Sequence, residues 1–145
     1  MTGMTEEIEI NVPVERLSTF VADYANTPRY TEPLVSFKPT TKIKRGEGAR
    51  FDMAGKIFGI PFRSQLEVAD FAENKGWRLK RISGTQIEIQ WSFRSTEKGT
   101  RITYMIEYRL PFGLVGRVID NLIIRRLTDK GIKKTLQKLK DLLEK

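Results

Sequence analysis

Ile8, Ile10 and Val12 alternate with Glu7, Glu9 and Asn11, the period-two pattern of a strand with one buried face. Pro13 can open a helix, because its missing N–H would have no partner in a first turn anyway, and Val14, Leu17, Phe20 and Val21 then recur at spacings of three and four. This predicts a short helix of about three turns. Asn26, Pro28 and Pro33 break the next segment, so any helix there is a single turn.

From residue 34 to 110 the alternation is nearly continuous, interrupted by turn signals at 44–48, 58–61, 72–76, 83–84 and 96–99. Links this short join antiparallel neighbours, since a parallel crossover needs about a dozen residues or more. The pattern predicts a meander of six strands, or about seven with the first strand. One face collects Phe51, Met53, Phe62, Leu66, Val68, Trp77, Leu79, Ile87, Ile89, Trp91, Phe93, Ile102, Tyr104, Ile106 and Tyr108. The other carries residues such as Arg63, Glu67, Arg78, Glu88, Arg94 and Arg101, so the sheet is expected to be covered on one side only.

Pro111 and Gly113 end the last strand, and from Leu114 to Glu144 the period becomes helical. This is the one element long enough to cover the apolar face. Val115, Val118, Ile119, Leu122 and Ile123 form one stripe, while Ile132, Leu136, Leu139 and Leu143 form another on a different bearing. The join lies near Thr128, Asp129 and Gly131, so a kink, bulge or break is predicted between Leu127 and Ile132.

Composition narrows the chemistry. The 145 residues include no cysteine and no histidine, which removes disulfides, thiolate nucleophiles, histidine general bases and Cys- or His-ligated metals. Neither a cofactor nor a metal is predicted. The net charge of +8 is uneven, at −4 over residues 1–24 and +5 from Leu114 onward. No apolar run approaches the roughly 18 residues of a membrane span, and the acidic N-terminus lacks the basic, apolar start of a secretory signal. A cytoplasmic location is expected.

The order strand, short helices, six-strand meander and long C-terminal helix resembles the START-like, or SRPBCC, superfamily, in particular its polyketide cyclase/dehydrase and coenzyme-Q-binding-like members. Pro13-Val14-Glu15-Arg16-Leu17, the Gly46-Glu47-Gly48 turn and the Gly99-to-Tyr104 segment carry the likeness, which covers residues 6 to 144. It implies an α+β helix-grip fold, expected here as one domain over residues 1–145, with a ligand cavity between the curved sheet and the helix.

Residues expected to line that cavity are Phe51, Met53, Phe62, Leu66, Trp77, Trp91, Phe93, Tyr104, Tyr108, Ile119 and Ile123. Arg126 continues the first helical stripe and is placed to meet an anionic head group. Asp23, Tyr24 and Arg29 lie near the short helices, and Arg50 and Asp52 should point away from the cavity. The Gly46-Glu47-Gly48 turn lacks the Lys-Ser/Thr and helix start of a phosphate-binding loop, so no nucleotide site is predicted.

Binding or transport of a hydrophobic molecule, lipid-like, isoprenoid or polycyclic, is the leading expectation, without catalysis. The alternative is a cyclase/dehydrase enzyme using Tyr, Arg and Asp. A third reading, a basic module binding nucleic acid or a membrane surface, ranks last, because the aromatics are expected inside rather than displayed for stacking. Arg117, Lys130, Lys133, Lys134 and Lys140 could make peripheral contact with an anionic membrane. The sequence leaves the oligomeric state open.

Overall fold

A computed structural model describes residues 2–31, 34–57, 60–109 and 121–145. In chain order the elements are β1 (Thr2–Ile10), α1 (Val14–Ala22), a 3-10 turn (Tyr24–Asn26) and α2 (Thr27–Tyr30), then β2 (Leu34–Pro39), β3 (Arg50–Ile57), β4 (Ile60–Ala72), β5 (Gly76–Gly84), β6 (Ile87–Ser95) and β7 (Thr100–Tyr108), and finally α3 (Asn121–Leu143). The seven strands form one sheet in the order β1-β7-β6-β5-β4-β3-β2. Every pairing is antiparallel, and the sheet curls into a half-barrel. The expected meander is therefore present, with β1 added beside the last strand rather than the second.

Alternation decides the inner face. In β6, Ile87, Ile89, Trp91 and Phe93 are buried, and in β7 Thr100, Ile102, Tyr104 and Tyr108 are. Their outward neighbours carry ion pairs such as Arg78 with Glu88 (3.2 Å) and Arg101 with Glu7 (3.3 Å). β1 starts earlier than the pattern predicts and stops at Ile10, while Val12, outside the strand, is still buried. There the Thr100 hydroxyl donates to the Val12 carbonyl (2.9 Å) and holds the turn into α1 against β7.

α3 runs along β1. Lys140 Nζ donates to the Glu9 carbonyl (3.0 Å), and Glu144 accepts from the Asn11 backbone N–H (2.9 Å). Ile132, Leu136, Leu139 and Leu143 are buried as expected. Of the kink, bulge or break predicted between Leu127 and Ile132, a break is excluded, since one α-helix continues through it. Two local facts account for the difference. Gly131 faces open space, so its cost is only the missing packing and added chain entropy. Thr128, instead of capping a second segment, shares a hydrogen bond with the Tyr108 hydroxyl (2.9 Å). Half-buried Thr128 thus begins the stripe that Ile132, Thr135, Leu136, Leu139 and Leu143 continue. Expectations for residues 114–120, and for the side chains of 121–124, lie outside the described residues.

Candidate ligand cavity

Inward positions of β3 to β7 supply the floor of a cavity through Phe51, Met53, Val68, Trp77, Leu79, Ile89, Trp91 and Tyr104. α1, the 3-10 turn and α2 cross one end of it, contributing Val21, Tyr24, Thr27 and Tyr30. Leu34 and Phe37 of β2, Phe71 of β4, and Arg45 and Gly46 of the β2–β3 connection complete the rim.

Aromatic packing holds these walls. The Trp91 ring meets Tyr104 edge-on at 4.7 Å and Tyr30 edge-on at 6.3 Å. Phe37 stacks on Phe51 at 4.6 Å, and Phe71 stacks on Trp77 at 5.3 Å. Such offset and edge-to-face pairs are favoured by the ring quadrupoles and add about 0.5–1.5 kcal/mol each beyond simple burial. The space left open is about 50 Å³, room for a few waters, whereas small-molecule pockets run from about 300 Å³ upward. A guest larger than this space must displace lining side chains.

The hydroxyl-bearing residues of the wall are Tyr24, Thr27, Tyr30, Thr31 and Tyr104. Burial pushes the phenols of both Tyr30 and Tyr104 far above their ordinary value of 10; a hydrogen bond with Thr27 works against this at Tyr30, and the neighbouring Tyr30 adds to it at Tyr104. Both stay neutral at any physiological pH and act as hydrogen-bond groups rather than as bases.

Of the residues singled out from sequence, Phe51, Met53, Trp77, Trp91 and Tyr104 come together on this cavity. Phe62, Leu66, Phe93 and Tyr108 are buried on the same face but do not line it. Ile119, and the side chain of Ile123, lie outside the described residues. Arg126 is exposed on α3 and does not take the inward bearing expected of it, because the buried stripe of the continuous helix passes through Thr128 and leaves Arg125, Arg126 and Leu127 outside. Arg50 and Asp52 do point outward, toward Glu67 and Arg63. Asp23 accepts from the Ala25 N–H (3.0 Å) and Arg29 donates to Asn26 (2.9 Å), so both are engaged in shaping the turn.

Sequence reasoning missed Tyr30, Phe37, Phe71 and Arg45. For Phe71 a signal existed in the short Ala69-Asp70-Phe71-Ala72 stretch before the turn. A register shift between Ala69 and Ala72, with Asp70 at φ 55°, turns Phe71 inward against strict alternation.

A curled antiparallel sheet closed by short helices and a C-terminal helix, with an aromatic interior, defines the START-like helix-grip class. Within it, the chain belongs to the polyketide cyclase/dehydrase and lipid transport family, whose family model matches residues 1–144. Among solved structures, the protein TTHA0849 from Thermus thermophilus superposes with a TM-score of 0.82 at 20% identity, covering 97% of this chain and 95% of that chain. A START superfamily protein from Mycobacterium smegmatis gives 0.76 at 14% identity, with 98% and 97% covered. The di-domain ARO/CYC BexL from the BE-7585A biosynthetic pathway gives 0.67 at 20% identity, covering 99% of this chain and 47% of that one. No curated protein matches.

Proposed function

We propose that this protein is a single-domain binder or carrier of a hydrophobic small molecule, lipid-like, isoprenoid or polycyclic, held in the aromatic cavity. The observation that carries this reading is the composition of the wall. Stacked and edge-packed rings dominate it, its uncharged polar side chains are three tyrosines and two threonines, and Arg45 is the one charged side chain among the described lining residues. An apolar wall with a few placed polar groups favours binding and orientation of an apolar guest.

A cyclase/dehydrase activity has one supporting observation, the pair Tyr30 and Tyr104, whose hydroxyls could donate to a substrate carbonyl. General acid–base chemistry also needs a group that ionises near the operating pH. The described lining offers no carboxylate for that task, so binding ranks first.

Native mass spectrometry of gently purified protein, with solvent extraction and titration of tryptophan fluorescence against a library of apolar probes, tests the proposal. A copurified or saturably bound apolar molecule is expected. An empty protein that no probe quenches would refute it.

A further inference from the structure

The cavity wall is not electrically uniform. Its interior is apolar, and its one described charge sits at the rim, where Arg45 lies over the Phe71 ring at 5.5 Å. Phe71 stacks on Trp77, which lines the interior. A continuous aromatic rail therefore runs from the cavity floor to a guanidinium, which suits a molecule with a flat or apolar body and a polar end.

The loop that presents Arg45 is fixed by its backbone. Gly46 and Gly48 both take φ near +85°, a conformation open to glycine and strained for other residues. The Gly48 N–H donates to the Val68 carbonyl (3.0 Å), and the Val68 N–H returns a bond to Ala49 (2.8 Å). Glu47 accepts from the Phe71 N–H (2.8 Å) and is thereby occupied. Lys42 and Lys44, both exposed, add positive charge on the same loop.

Arg45 has a partner of the kind that a ligand can replace. Its Nη2 lies 2.7 Å from Glu73 in the β4–β5 turn, with the two side chains 44% and 48% exposed. Ion pairs this exposed are weak and exchange readily. Glu73 thus holds the guanidinium at the rim through one Nη2–Oε1 contact, and an incoming carboxylate can take its place with its tail sealed from water.

We infer that Arg45 is a specificity-determining head-group site, so that the preferred ligand is an amphiphile carrying one carboxylate at the end of an apolar or polycyclic body. This inference rests on the cavity being the ligand site. Glu73 acts as an internal competitor for the head group. The same geometry moves the anion-reading role from Arg126, exposed on α3, to the loop between β2 and β3.

The test uses two fluorescent probes of one body, 1-pyrenebutyrate and 1-pyrenebutanol, titrated at neutral pH and low salt by energy transfer from tryptophan. Wild type is expected to bind the acid about tenfold more tightly than the alcohol, the scale of one charge-assisted contact. Arg45→Gln should abolish that preference, bringing the acid-to-alcohol affinity ratio to about one whatever the change in the alcohol's own affinity, while Glu73→Gln should raise the ratio. An acid preference that survives Arg45→Gln, or acid and alcohol bound equally by wild type, would overturn the inference and leave the cavity reading standing. If neither probe binds wild type, this inference fails, and the cavity reading is decided by the wider library of apolar probes.

Discussion

Trp91 is the side chain on which the cavity's geometry most depends, and Trp91→Ala measures that dependence. The ring is 6% exposed and contacts Tyr104, Tyr30 and Phe93. Truncating a buried Trp or Phe to Ala costs about 3–5 kcal/mol, and the lost edge-to-face contacts place this substitution toward the upper end. A chain of 145 residues has a total stability of about 7–20 kcal/mol. The variant should therefore fold, with a melting temperature lower by about 10 °C or more. Urea unfolding followed by far-UV circular dichroism gives the loss directly. Because the surrounding rings can collapse only partly, the variant should also hold a dry, indole-sized void, and added indole should restore part of the lost stability in the variant but not in wild type. A loss below about 1.5 kcal/mol without rescue would mean that the ring is not packed as described and that the reasoning about the cavity wall is wrong.

Two further perturbations probe the frame. Gly76 has φ +135°, and a Cβ there would collide with the Trp91 carbonyl oxygen; Gly76→Ala should cost about 3 kcal/mol in chemical denaturation, and a neutral result would contradict the β5–β6 pairing. Glu6 of β1 hydrogen-bonds Asp129 of α3 beside Lys133; this contact, with burial and the Asp129 charge, raises the Glu6 pKa above its ordinary 4.5, while the hydrogen bond to Glu6 lowers that of Asp129 below 3.8. Glu6 then contributes stability that is fully present below pH 4.5 and is lost as the pH rises through its raised value, whereas the contribution of Asp129 is present above 3.8 and is lost on acidification. Glu6→Gln should accordingly gain stability relative to wild type at neutral pH, with the gain shrinking as the pH falls toward 4.5, and thermal melts across that range that stay parallel would refute the pairing.

The sheet was readable because its physics is local. With one face wet and one apolar, period-two alternation assigned Phe51, Met53, Trp77, Trp91 and Tyr104 to the inside, and all are buried there. The helix was readable only in part. Ile132 to Leu143 follow one stripe, but the expected break at Gly131 failed, since a single glycine on a helix side with open space does not outweigh the hydrogen bonds around it. The rim was least legible. Tyr30 and Arg45 reach the cavity through the placement of a one-turn helix and a loop, which sequence period does not encode, and Phe71 does so through a bulge that reverses the alternation.

The pairing of β1 with β7 has a consequence for how the chain reaches this structure. Every pairing among β2 to β7 joins sequence neighbours, whereas Thr2 to Ile10 must find Tyr108 to Thr100 across the whole meander. Loop closure of that length makes this step slow, and until it happens β7 is an open edge able to recruit another chain. The charge distribution favours the correct closure, because the acidic first segment, with Glu6 and Glu7, meets Lys133 on α3 and Arg101 on β7. Folding should therefore slow and aggregation rise with ionic strength, a kinetic signature of the place where β1 docks.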